Sequence, residues 1–252
     1  MKKKSGFITL IISALVLVFV IDLMSTSCKK KSDEESEEPS YPAPVTWSPA
    51  PINGAVPPSV LPEELAAEVG SHIQIYAGPT PAKVHGEFLS HPHRLLYSTA
   101  SSDTIGTDFY DRYICFEWTD PNFNRIDFYG KQQIDEEGNN YEEVYRNIYV
   151  VGTGENFTCY YITEGYPQGL YAKQATIFSG NWTESLGGLG NFKVAVILLE
   201  TSGNPNLEPV NTYRVLGDSD GLAENCEWMK GKRSVTNATT SHEDAFRMFI
   251  KK

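Results

Sequence analysis

The sequence of 252 residues predicts an all-β fold, and three observations carry the prediction. Short runs rich in Val, Ile, Phe, Tyr and Thr recur at spacings of roughly 8–18 residues. Turn clusters built on Gly, Asn, Asp and Pro separate them. Nothing between them is long enough for the crossover helices that a parallel sheet needs. Aromatic residues make up 12% of the chain, too many for a disordered one. The balance of 21 Lys+Arg against 32 Asp+Glu, a formal charge of −11, argues against a nucleic-acid binder.

From residue 59 the pattern opens with one helix. Ser59 is placed to cap it, Pro62 suits a first turn, Glu63 and Glu64 favour the positive helix start, and Gly70 closes it. Leu61, Leu65 and Val69 form one apolar stripe. Beyond Gly70 the period changes to two. Val84–Leu89 and Leu95–Ser98 read as strands flanking Pro92. Tyr113–Trp118 alternates, with Ile114, Phe116 and Trp118 on one face and Glu117 on the other. Asp120-Pro121-Asn122 turns it into Arg125–Gly130 as a hairpin. After Gly138-Asn139-Asn140 comes Val144–Val151, in which Val144, Ile148 and Val150 share one parity. Gly152–Asn156 turns into Phe157–Ile162, and Gly165–Gly169 into Ala175–Phe178. Gly187, Gly188 and Gly190 precede Phe192–Glu200; Val194–Leu199 has no polar residue, so this strand is expected to be central and covered on both faces. Asn204-Pro205-Asn206 turns toward Thr212–Leu216, and Ala245–Ile250 is expected to close the sheet. Sequential hairpins suit an up-and-down sheet whose closure removes exposed edges. The expected architecture is an antiparallel meander, a lipocalin-like barrel or curved β-sandwich, with a two-sheet Greek key as the alternative.

The first 58 residues carry an address. Lys2, Lys3 and Lys4 precede Phe7–Ile21, 15 residues without a charge. As a helix this run spans about 22 Å, short of the ~30 Å hydrocarbon core, so it reads as a secretory signal peptide. Ser25, Thr26 and Ser27 lead to Cys28. The arrangement resembles the lipobox of bacterial lipoproteins, with Ser25 where a Leu is usual. Lys29, Lys30 and Lys31, followed by Asp33, Glu34, Glu35, Glu37 and Glu38, resemble the SCKK-type surface lipoproteins of the Bacteroidota. That resemblance implies a signal peptide over 1–27, lipidation (palmitate) at Cys28, and an outer-membrane protein facing the cell exterior. The globular part likewise resembles uncharacterised lipoproteins of those bacteria, which names no activity. Clustered carboxylates stay solvated, and seven prolines from Pro39 to Pro58 favour extended chain. Residues 28–58 are therefore expected to form a tether, with Trp47 docking it onto a single β-rich domain over 59–252. Cleavage before Cys28 would remove three Lys and one Asp, taking the formal charge from −11 to −13. Cys115, Cys159 and Cys226 then remain, and three cysteines allow at most one disulfide.

No GxSxG, SxxK, HExxH or phosphate-binding glycine loop is present, and no cofactor is expected. His85, His91 and His93 include an HxH spacing, but Pro92 disrupts a ladder there and nothing at diagnostic spacing completes a zinc set. Asp218-Ser219-Asp220-Gly221 with Glu224 resembles the start of a calcium loop and is equally the composition of a plain turn. Asp103-Thr104-Ile105 resembles the O-glycosylation motif of the Bacteroidota and marks Thr104. The aromatic supply is the stronger signal, because ring faces stack on sugars; Trp182, Trp118 and Trp228 are the candidate contacts, with core packing the competing role. Trp182 follows Gly180-Asn181 and is expected at a strand end, where binding loops cluster. The expected function is a non-catalytic surface module for a ligand such as a glycan, attached to the outer membrane through its lipid. A secreted hydrolase with unlocated carboxylates, or a structural envelope protein, is the alternative.

Overall fold

Alternation of apolar side chains along long strands closes the sheet into a barrel. The computed structural model describes residues 41–120, 122–133, 136, 140–229 and 241–251. The signal peptide, Cys28 and the acidic run lie outside the described residues. In chain order the elements are β1 (Val45–Trp47), α1 (Glu63–His72), β2 (Pro79–Thr80), β3 (Gly86–Ser90), β4 (His93–Ser98), β5 (Asp108–Phe109), β6 (Arg112–Asp120), β7 (Arg125–Gln133) and β8 (Asn140–Thr153). There follow β9 (Asn156–Gly165), β10 (Ala172–Trp182), β11 (Gly188–Glu200), β12 (Tyr213–Asp218), β13 (Leu222–Asn225) and α2 (His242–Phe246). Strands β6 to β11 form a continuous antiparallel meander, and β13 and β3 complete the ring back to β6. The architecture is the all-β, lipocalin-like barrel the sequence predicts.

Three of the barrel strands are broken. Phe109 of β5 pairs with His93, and Arg112 of β6 pairs with Ser90, so β5 and β6 hold one register against β4 and β3. In the same way β13 and β12 run in succession along β11, pairing Gly188–Gly190 and Lys193–Ile197. They also pair with β3 and β4 respectively. The breaks fall at His91–Pro92, Tyr110–Asp111 and Ser219–Gly221, side by side across three adjacent strands.

Both sides of the wall are covered on part of its circumference. Inside, Phe116, Phe128, Phe157, Phe178 and Phe192 are fully buried, with the Phe128 and Phe178 rings 4.6 Å apart. Outside, α1 lays Leu65 and Val69 against Ile162, Ala175, Ile177, Ala195 and Ile197 of β9, β10 and β11. The prediction that Val194–Leu199 is central therefore holds: Val194, Val196 and Leu198 point into the inner core while Ala195 and Ile197 meet the helix side. Small Ala175 and Ala195 give the helix room to approach.

Several elements differ from expectation for local physical reasons. Helix α1 starts behind Pro62 with no side-chain cap, so Ser59 is not its cap, and Gly70 lies inside a helix that runs to His72. Ala245–Ile250 is not a closing strand. Ser241 caps a short helix by accepting the Asp244 N–H at 3.0 Å, and Ala245, Phe246 and Phe249 enter the barrel core. Only Ile250 retains a bridge, to Leu207. The parity expected for β8 breaks at Asn147, which has a φ of 56°. Asp127 holds this bulge by accepting the Asn147 N–H at 2.9 Å and Arg146 Nη1 at 3.2 Å. Before the bulge Tyr141, Glu143 and Tyr145 are the buried side chains; after it Ile148 and Val150 are, and Val144 faces away from them. Inside, the Glu143 carboxylate accepts from Arg112 and, at 3.3 Å each, from the Tyr141 and Tyr161 hydroxyls.

The described chain from Tyr41 onward belongs to one compact unit. Thr46 and Trp47 pair with Thr163 and Ile162, so the proline-rich stretch joins the barrel through β1. Cys115, Cys159 and Cys226 are free thiols. Burial pushes Cys115 up to about 12 and Cys226 up to about 11, so neither is a ready nucleophile.

Candidate ligand-binding cleft

Pro92 has no N–H to give a strand ladder, and the chain stops pairing around it. The neighbouring groups find other partners. The His91 N–H donates to Asp218 Oδ2 at 2.7 Å, and the His91 ring Nδ1 lies 2.5 Å from Asp111 Oδ1. Asp218 Oδ1 accepts the Asp220 N–H at 3.3 Å, and Asp220 Oδ1 accepts the Leu222 N–H at 2.9 Å. Side chains therefore carry the hydrogen bonds that the backbone cannot make across the gap.

A cleft of about 670 Å³ opens at this level, lined by His91, Pro92, Phe109, Tyr110, Asp111, Tyr113 and Trp228 among others. Tyr110 is exposed, and the Trp228 ring lies 5.9 Å from that of Tyr113 at 50°. Glu87 of β3 fixes the Trp228 segment: Oε2 accepts the Trp228 N–H at 2.6 Å and the Met229 N–H at 2.8 Å. The indole N–H reaches Ile114 O at 3.4 Å, which sets the ring plane. Asp108 and Lys131 add charge to the wall. Arg94 grips Asp108 through two bonds of 2.6 and 3.0 Å and holds its carboxyl below the usual range. Hydrogen bonding to Asp111 raises the His91 imidazole. Aromatic faces with imidazole, carboxylate and ammonium groups around them can stack on a flat apolar surface and bond to hydroxyls at its rim.

Of the three tryptophans singled out in the sequence, the structure brings only Trp228 to this cleft. Trp182 does end a strand, β10, but its half-buried ring packs on the barrel core and meets His85 edge-on at 4.8 Å. Trp118 also packs on the core, with its indole nitrogen buried. Asp218 and Asp220 spend oxygens on backbone N–H groups, and Glu224 sits in β13 opposite Leu89. Burial raises the Asp218 carboxyl, which opposes a charged ligand role. Among the described residues no group of three or more His, Cys, Asp and Glu is arranged to hold a metal. His85, His91 and His93 diverge, His93 being buried against Ser90 Oγ at 3.0 Å. Thr104 is exposed in the loop between β4 and β5, while its neighbour Asp103 pairs with Arg214.

The sequence reading missed Tyr110, Tyr113, His91 and Lys131 as cleft residues. The available signal was Pro92 between two β-type runs, a residue that predicts an interruption and hence a gap in the wall. No protein family, curated protein or solved structure matches the chain.

Proposed function

We propose that the chain is a surface lipoprotein, anchored to the outer membrane at Cys28, whose barrel binds a glycan without catalysing its breakdown. The observation that supports the binding role is the meeting of Tyr110, Tyr113 and Trp228 with His91, Asp111 and Lys131 in one 670 Å³ cleft. Carbohydrate rings have an apolar face and a hydroxyl rim, which matches both classes of side chain. Asp108, held low by Arg94, is poorly suited to donate a proton to a leaving group. The test is an array of neutral and acidic glycans probed with the folded protein and with Tyr110→Ala. Wild-type signal that falls about fivefold or more in the variant supports the reading, since a stacking contact contributes about 1 kcal/mol. An array with no wild-type signal, or one indifferent to Tyr110, rejects it. The address is tested separately: Cys28→Ala should abolish palmitate labelling and release the protein from membranes, and retention of the mutant would reject the anchor.

A further inference from the structure

Tyr41, the first described residue, stacks on Tyr166 with ring centroids 5.0 Å apart and planes at 18°. Tyr166 meets the edge of Tyr171 at 5.7 Å. Burial first and then the Glu164 carboxylate raise the Tyr171 hydroxyl, and Glu164 accepts the Trp47 indole N–H at 3.3 Å. Tyr41, Tyr166 and Tyr171 form one run of ring contacts, Trp47 is tied to Glu164 two residues before Tyr166, and Leu170 is the residue before Tyr171. Tyr41, Trp47 and Leu170 remain 39–41% exposed. Lys173 lies 3.4 Å from the Glu164 carboxylate, and Glu243 accepts the Gln168 N–H at 3.1 Å beside the rings.

This platform stands at the root of the N-terminal segment. Twelve residues separate Cys28 from Tyr41. A flexible chain of twelve residues would span about 20 Å, and its join to the barrel is Tyr41, a member of the platform. Tyr and Trp rings favour the headgroup layer because one end is apolar and the other wet. The cleft takes its strand residues from β5, β6, β7 and the first residue of β8, whereas the platform residues lie on and around β9 and β10.

We propose that this platform of Tyr41, Trp47, Tyr166, Leu170 and Tyr171 rests on the lipid headgroups of the membrane that carries the protein. The inference builds on the lipid-anchor reading of Cys28. Its test uses the acylated full chain in vesicles of zwitterionic phospholipid containing brominated acyl chains, which quench nearby indoles. Wild type should show a quenched component of tryptophan emission that disappears in Trp47→Phe. Leu170→Ser, at an exposed position with all four tryptophans retained, should reduce it. Equal quenching in wild type and Trp47→Phe, or none in either, overturns the platform while leaving the anchor intact. A purified chain that carries no acyl mass overturns the anchor and the platform with it.

Discussion

The backbone N–H of His91 donates a 2.7 Å hydrogen bond to the buried carboxylate of Asp218, joining two neighbouring strands at the level where both are broken. The bond replaces a ladder contact beside Pro92 and fixes the edge of the cleft. The two residues are far apart in sequence, and neither is explained without the other.

Asp218→Ala should destabilise the barrel by about 1–3 kcal/mol, the cost of leaving a partly buried donor unpaired. Asp218→Asn keeps an acceptor oxygen and should recover most of the loss. Urea melts of the three proteins check this. Equal stability of wild type and the Ala variant would remove the role given to this bond.

His93 sets a pH dependence. Burial first, then Arg112 and Arg247, hold its imidazole well below the usual value, so it stays neutral when folded. As pH falls below about 6.5 the unfolded chain takes a proton that the folded chain refuses, and stability declines. His93→Gln should flatten that decline in melts between pH 7 and 5. His91 acts with the opposite sign, since Asp111 raises its pKa: its contribution is present at low pH and fades as pH rises through the folded value.

Phe178→Ala removes a ring packed on Phe128 and Phe192 and should cost about 3–5 kcal/mol. Phe123→Ala, at a ring 68% exposed, should stay within about 0.5 kcal/mol of wild type. Denaturant midpoints separate the two.

Trp182→Ala should lower the melting temperature without weakening ligand binding, because the ring packs on the core and His85 away from the cleft. Unchanged melting with lost binding would reverse the assignment between Trp182 and Trp228.

The barrel was legible where local patterns were regular. The run from Val194 to Leu199 reveals its centrality because burial on both faces leaves no room for a polar residue. Alternation places Ile114 and Phe116 inward for the same reason. The short strands Asp108–Phe109 and Leu222–Asn225 were not legible, because each is the remainder of a longer strand beyond a break. Glu143 and its tyrosines were hidden by the bulge at Asn147, which exchanges the two faces of β8 halfway along. Ala245–Ile250 has an apolar content that serves a strand or a helix equally, and the Ser241 cap decides for the helix. The cleft is assembled from the chain around residues 91, 110, 131 and 228, so no local window contains it.

The central claim, that a glycan occupies the cleft at the strand breaks, is tested most directly by the indole N–H resonances of Trp118, Trp182 and Trp228 during titration with an array-selected glycan. The account predicts that the Trp228 signal shifts while those of Trp118 and Trp182 stay in place. A shift confined to Trp182, or a titration that moves none of the three, would contradict it.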